Sequence, residues 1–192
     1  MAQTQNKVRI GGGAWRSRLL RFPDIPGLRP TPDRVRQTLF NWLGQDLHGL
    51  VCLDLFSGTG ALGFEALSRG AASAVMVEKA PQAYRGLLES RQLLGADSAQ
   101  ILNIDAERFL AENIRQFDII FLDPPFGQGW LPRLLPQMPL CLAPEGLLYV
   151  EAEFAIENAA GWQVLKSGKA GNVFFHLLKL ADVEKSHLPG HV

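Results

Sequence analysis

Apolar residues come in short continuous runs that alternate with amphipathic stretches through the middle of the chain. Runs at 51–56, 74–77, 99–104 and 117–122 lack the in–out alternation of a half-exposed strand, so they predict strands covered on both faces. Helical periods lie between them. One follows at 61–68, and in 81–94 Tyr84, Leu87, Leu88 and Leu94 share a face, with Gly95 as the stop. A shorter helix is expected over 105–113. Strand and helix alternating at this spacing predict a parallel sheet with right-handed crossovers and ligands at the carboxyl ends of its strands.

The flanks read differently. Residues 8–22 predict two short strands around a glycine turn, with Ile10, Trp15, Leu19 and Phe22 available for one apolar face. A proline-rich connector over 23–32 leads to a helix with Thr31 as N-cap, Pro32 as its first residue and Gly44 at its end. Val35, Leu39, Trp42 and Leu43 form its stripe. Residues 130–138 are interrupted by Pro132 and Pro136, with Pro139 beyond, and predict short turns. Strands are expected at 146–150, 161–166 and 172–180, with a turn over 167–171. The polar end, 181–192, predicts a frayed tail; its His187 and His191 are spaced by Pro189 and Gly190, which spoil a helical ligand pair, so no metal is expected.

Composition narrows the class. With 192 residues, 47% of them hydrophobic and 20% charged, the chain can build one sizeable core. No apolar run nears the roughly 18 residues of a membrane span, and the start lacks a secretory core. Cys52 and Cys141 suit buried thiols in a reducing compartment. The expectation is a cytoplasmic protein, monomeric by default. Zero net charge hides an asymmetry: residues 1–36 carry eight basic and two acidic side chains, +6, and the remainder carries −6. Seven of the eight are arginines, suited to forked contacts with phosphate. Arg9, Arg16, Arg18, Arg29, Arg34 and Arg36 are the candidate polyanion contacts. Trp15 among them suits base stacking or the core equally.

Chemistry concentrates at two strand ends. Gly58, Gly60 and Gly63 spell G-x-G-x-x-G between the strand at 51–56 and the helix at 61–68, permitting a tight turn, a close backbone approach and helix–strand packing. Glu78 closes the next strand, 18 positions after Gly60, where a carboxylate can bind a ribose. These features fit a nicotinamide or flavin dinucleotide and S-adenosylmethionine equally. Asp123-Pro-Pro-Phe126, after the strand at 117–122, breaks the tie: it resembles the catalytic motif of S-adenosylmethionine-dependent methyltransferases acting on exocyclic or amide nitrogens.

From about Arg9 to Leu180 the chain resembles the RsmD-type family, bacterial small-subunit ribosomal RNA (guanine-N2)-methyltransferases. The resemblance rests on Arg9-Ile-Gly-Gly-Gly-Ala-Trp-Arg, on Pro26-Gly-Leu-Arg-Pro-Thr-Pro-Asp-Arg-Val-Arg-Gln-Thr-Leu-Phe-Asn-Trp42, on Asp54-Leu-Phe-Ser-Gly-Thr-Gly-Ala-Leu-Gly63 and on Asp123-Pro-Pro-Phe126. The first two stretches carry the substrate; the last two carry only the reaction class. The resemblance implies a Rossmann-like class I fold, an α/β architecture with a seven-stranded, mostly parallel sheet and an N-terminal β-hairpin. It also implies S-adenosylmethionine as donor and guanine 966 of 16S RNA, within an assembled or assembling small subunit, as acceptor. The expected organisation is a hairpin and connector over 1–30 that meets RNA, a methyltransferase body over 31–180 and the tail.

In that frame Asp54 and the backbone of Phe56, Ser57, Gly58 and Gly60 hold the methionine end of the donor. Glu78, with Lys79 beside it, holds the ribose, and Asp105 with Ala106 the adenine edge; Asp105 could instead simply cap its helix. Asp123 and the carbonyl of Pro124 would accept the two N2–H bonds, Pro125 would stiffen the turn and Phe126 would stack on the base. This is alignment chemistry that calls for no metal and no covalent intermediate. The rivals are a DNA adenine or protein-glutamine N-methyltransferase, a non-catalytic RNA-binding assembly factor, and a nicotinamide oxidoreductase.

Overall fold

The computed structural model describes residues 6–157 and 161–181. Seven strands form one sheet in the order β5-β4-β3-β6-β7-β9-β8: β3 (Val51–Asp54), β4 (Ser73–Val77), β5 (Ala99–Leu102), β6 (Phe117–Leu122), β7 (Leu142–Ala152), β8 (Trp162–Ala170) and β9 (Val173–Leu180). The first five are mutually parallel; β9 runs antiparallel to both β7 and β8. Strand order departs in opposite directions from β3 and β6, so their carboxyl ends flank a crevice at the switch point. The expected mostly parallel, seven-stranded sheet is the one observed.

Both faces are covered. One face packs with α1 (Asp33–Leu43), α2 (Ala61–Ser68), α3 (Pro81–Leu94) and a separate two-stranded hairpin, β1 (Asn6–Arg9) with β2 (Leu19–Phe22). The other packs with α4 (Ala106–Glu112) and with α5 (Trp130–Leu134) and α6 (Met138–Cys141), which a 3-10 turn joins. The proline-broken helical region is thus the string of short turns its prolines predict.

The hairpin buries Val8, Ile10, Leu20 and Phe22 in the same core as Leu39, Phe40 and Phe64. It is therefore continuous with the body. Leu19 faces outward, because strand alternation gives the inward position to Leu20. Trp15 is half-buried against that core. Its backbone N–H donates to Ser68 Oγ at 2.9 Å, and the Gly11 N–H donates to Glu65 Oε2 at 2.8 Å. Glu65, itself buried, pairs with Arg69 at 2.9 Å, and the Arg69 guanidinium lies 4.8 Å from the centre of the Phe40 ring. Gly13, at φ 75°, passes so close to α2 that a Cβ would sit 1.8 Å from the Ser68 carbonyl oxygen.

Other expectations need correction. Thr31 caps no helix: Pro32 holds the N-cap position of α1 without a side-chain cap, and Thr31 is buried elsewhere. Of the turn expected over 167–171, residues 167–170 are strand and only Gly171 lies in a turn. β8 continues to Ala170 and turns on Gly171 and Asn172, and Gly168 leaves room for the Phe175 ring, which a Cβ would approach to 2.4 Å. The tail beyond Ala181, with His187 and His191, lies outside the described residues.

Candidate active site

Strand alternation sets the site. On β3, β6 and β7 the side chains of Asp54, Asp123 and Glu151 share the face that carries Cys52, Phe121 and Tyr149. Each sits where its strand ends or just beyond, at the crevice.

The glycine turn is built by Asp54 and Glu78. The Gly63 N–H at the start of α2 donates to Asp54 Oδ2 at 3.1 Å, and Ser57 Oγ donates to the Asp54 carbonyl at 2.8 Å. Gly58 N–H donates to Glu78 Oε2 at 2.8 Å, while the other Glu78 oxygen accepts from Ala80 N–H at 2.6 Å. Gly60 is left-handed at φ 80°, and a Cβ there would meet Phe64 and Leu87 at under 3 Å. At Gly63 a Cβ would lie 2.9 Å from Met76, so this glycine lets α2 lie close on β4. Phe56 and Trp130 meet edge to face, ring centroids 5.3 Å apart. Asn103, unforeseen from sequence, donates to the carbonyls of Glu78 and Lys79 at 2.8 and 3.0 Å. Asp105 accepts from Glu107 N–H at 2.9 Å as the N-cap of α4, so its capping role is real; its other oxygen is 3.4 Å from the exposed Lys79 Nζ. Ala106 is buried beside it.

Asp123-Pro-Pro-Phe126 forms the opposite lip. Asp123 is half-buried, Pro124 buried, Pro125 exposed, and Phe126 is 41% exposed at the mouth. Gly127 N–H, just past the motif, donates to Glu153 Oε2 at 2.8 Å, tying this loop to the end of β7. Desolvation raises the Asp123 carboxyl well above the ordinary range, with Glu151 and Asp54 adding repulsion and a Thr31 hydrogen bond opposing it. Burial pushes Asp54 to about 7, against the Gly63 N–H bond, with Glu78 raising it further. Glu151 is raised by burial too, while Tyr149 and Thr31 hydrogen bonds hold it down. Among the described residues, no ion pair includes Asp54, Asp123 or Glu151. Buried carboxylates short of cations beside a glycine turn fit a ligand that brings positive charge, as a sulfonium and an α-ammonium would.

The basic set divides. Arg9, Arg16, Arg29 and Arg34 are exposed. Arg18 is exposed but donates to the Leu93 carbonyl at 2.7 Å, fastening the hairpin to the end of α3. Arg36 does not belong with them: only 4% exposed, it pairs with Asp33 and donates to the Arg9 carbonyl at 2.7 Å. It points inward because α1 packs on the sheet, Trp42 stacking on Phe175 and Phe40 meeting Phe121, and position 36 lies on the side of the helix where the hairpin's Arg9 carbonyl comes down. Glu151, Tyr149 and Thr31 join Asn103 among the site residues that sequence reading missed.

Sheet topology, glycine turn and the Asp-Pro-Pro-Phe lip together define a class I S-adenosylmethionine-dependent methyltransferase. The family model described as Conserved hypothetical protein 95 matches residues 8–179. The ribosomal RNA small subunit methyltransferase D of Escherichia coli K12 is 43% identical over 178 residues, covering 89% of each chain; that of Haemophilus influenzae is 39% identical over 188 residues, covering 91% of this chain and 96% of the other. The chain belongs to this ribosomal RNA small subunit methyltransferase D family. Among solved structures, yhhF of Escherichia coli superposes with a TM-score of 0.82 at 41% identity, covering 91% of this chain and 98% of that one. A Thermus thermophilus hypothetical protein gives 0.74 at 30% identity, covering 88% and 98%.

Proposed function

We propose that the protein methylates the exocyclic N2 of one guanine in small-subunit ribosomal RNA, position 966 of 16S RNA. The Asp123–Phe126 lip facing the Asp54–Glu78 turn across the switch-point crevice supports the methyl transfer, and the observation that carries the substrate is the likeness, over nearly the whole chain, to the ribosomal RNA small subunit methyltransferases D. S-adenosylmethionine, when bound, supplies an electrophilic methyl group on a cationic sulfur. Asp54 and the 56–60 backbone receive its methionine end, Glu78 and Lys79 its ribose, and Asp105 and Ala106 its adenine.

Guanine N2 is a poor nucleophile because its lone pair is delocalised into the ring. Asp123 and the Pro124 carbonyl each accept one N2–H bond, which pulls the amine toward a tetrahedral shape and aims its lone pair. A carboxylate made more basic by burial is also a better acceptor for the proton that N2 sheds after methylation. Phe126 stacks on the base, which must leave its helix to reach the site. The hairpin and connector, 1–30, with Arg9, Trp15, Arg16, Arg18 and Arg29, hold the RNA beside the 31–180 body, and Arg34 extends that surface. The substrate is the ribonucleoprotein of an assembled or assembling small subunit, and the enzyme acts as a cytoplasmic monomer. No helix among the described residues is long and apolar enough to cross a membrane.

The test is methyl transfer from labelled donor to small subunits lacking their own modification, beside naked 16S RNA, DNA and protein fractions, with the product nucleoside identified. N2-methylguanosine at one site is expected. Asp123→Ala should cost at least about 100-fold in kcat with donor binding retained. Label on DNA or protein would overturn the substrate, and donor binding without any transfer would favour an assembly factor.

A further inference from the structure

The hairpin, the start of α1 and the end of α2 meet around a cavity of about 190 Å³. Arg9, Arg16, Arg36 and Arg69 line it, against the acids Asp33 and Glu65. Both acids are already engaged. Glu65 binds Arg69 with one oxygen and the Gly11 N–H with the other, and Asp33 pairs with Arg36. The lining therefore keeps a surplus of two positive charges. Arg9 reaches only the Ser17 carbonyl, at 3.3 Å, and the Arg16 guanidinium has no hydrogen bond or ion pair among the described residues.

Arg36 separates this cavity from an ordinary basic surface. Its side chain is almost wholly buried, and its Nη2 is satisfied by the Arg9 carbonyl and Asp33. Nε and Nη1 meet no acceptor among the described residues. A buried cation with unmet donors is costly, and an anion brought by a ligand offsets that cost. Asp33 offsets little of it, being 67% exposed and screened by water. The walls are fixed beforehand. A Cβ on Gly12 would lie 2.5 Å from Arg69 Nη2, so the glycine loop lies close against that guanidinium. Ser17, which also lines the cavity, is held left-handed at φ 70°, a conformation rare for a serine.

We propose that this cavity is a phosphate-binding site that takes one backbone phosphate of the RNA substrate, with Arg36 as its floor and Arg9 and Arg16 at its rim. Guanidinium groups fork onto the unshared oxygens of a phosphate, and the Ser17 hydroxyl and the Gln37 amide, both on the lining, add uncharged donors. The choice of an RNA phosphate rests on the RNA-methylating reading above, because one wall of the cavity is the arm assigned there to RNA. Exposed arginines elsewhere on that arm attract RNA by charge alone. A cavity with a buried floor seats one phosphate, and a seated phosphate sets the register of the strand on the protein.

The experiment follows the side-chain Nε–H signals of the whole protein, nitrogen-labelled at arginine, by NMR, with Arg36→Met identifying the Arg36 signal. Three probes are titrated: a single-stranded RNA oligonucleotide, the same oligonucleotide with uncharged methylphosphonate linkages, and inorganic phosphate. The RNA should shift the Arg36 signal, and the methylphosphonate form should not. Arg16→Gln removes a rim side chain without internal contacts, so its urea unfolding should match wild type while its affinity for the RNA falls about 10-fold. An Arg36 signal that RNA leaves unmoved would overturn the proposal. So would one that both oligonucleotides move alike, one that inorganic phosphate moves and RNA does not, which makes it a free-anion site, or wild-type RNA affinity in Arg16→Gln. Methyl transfer to small subunits is measured beside it. The RNA shift without transfer would overturn the reaction and leave the phosphate site standing; transfer without the shift would overturn the site alone.

Discussion

Asp54→Asn should stabilise the ligand-free protein, increasingly so as pH rises from about 4 and fully above about 7. Asp54 is buried with its carboxyl pushed from 3.8 to about 7, so the folded state resists its ionisation while the unfolded chain does not. For a group raised in the folded state, the folded protein binds more protons than the unfolded one between these two values. Stability therefore falls as pH rises from about 4 to about 7, and the penalty is complete above that window. Three pH units at about 1.4 kcal/mol each bring the penalty to about 4 kcal/mol. Asparagine has no such charge, and its carbonyl oxygen can still accept the Gly63 N–H bond. Urea unfolding of both proteins, without donor, should show the variant gaining about 2–3 kcal/mol more on wild type between pH 5, where about a third of the penalty already acts, and pH 8. Other titrating groups largely cancel in the difference. On the proposed donor site, affinity for the donor should move the opposite way, falling about 10-fold or more, because the variant removes a buried negative charge that would face its cationic end. A stability difference that is the same at pH 5 and pH 8 would refute the reasoning.

Three further outcomes follow from particular contacts. Phe126→Ala should leave stability within about 0.5 kcal/mol, because the ring is exposed, yet weaken productive RNA engagement by about 1–3 kcal/mol in kcat/KM; unchanged kcat/KM would remove its stacking role. Gly13→Ala combines a left-handed φ with a Cβ driven onto the Ser68 carbonyl, so urea unfolding should show a loss of about 2–4 kcal/mol. Replacing the exposed Arg16 and Arg29 together with Gln should lower RNA affinity and flatten its dependence on salt by about 0.7–0.9 for each phosphate no longer neutralised, read as the slope of log K against log salt; an unaltered slope would return both to a solvated surface.

The parallel strands were legible because burial on both faces leaves apolar runs with little else to mean, and Phe117–Leu122 was matched to the residue. Helices α2 and α3 were equally plain, ending where Ser68 and Gly95 said they would. What sequence hid was partnership. Thr31 before Pro32 has every local mark of a cap, but its side chain is buried in the fold and caps nothing. Arg36 stands among solvent-facing arginines in sequence, and only the docking of the hairpin reveals that it is interior. Glu151, two residues from Glu153 at a strand end, looks like ordinary surface charge. One rule could have found it: acidic residues at the carboxyl ends of parallel strands beside the switch point face the ligand. The long β8 escaped because Ser167, Gly168 and Lys169 favour turns locally, while the space Gly168 leaves for Phe175 is a tertiary matter.

The seating of the hairpin on α2 through Glu65, Arg69, Ser68 and the glycines has a metrological consequence. An arm sharing its core with the catalytic body cannot swing to meet substrates of different shape. With its arginines holding RNA as proposed, the span from them to Asp123 would work as a fixed gauge. On that proposal the nucleotide is selected by how far it lies from a gripped stretch of folded RNA, and methylation should tolerate altered letters in the grip more readily than a single nucleotide added to or taken from the interval.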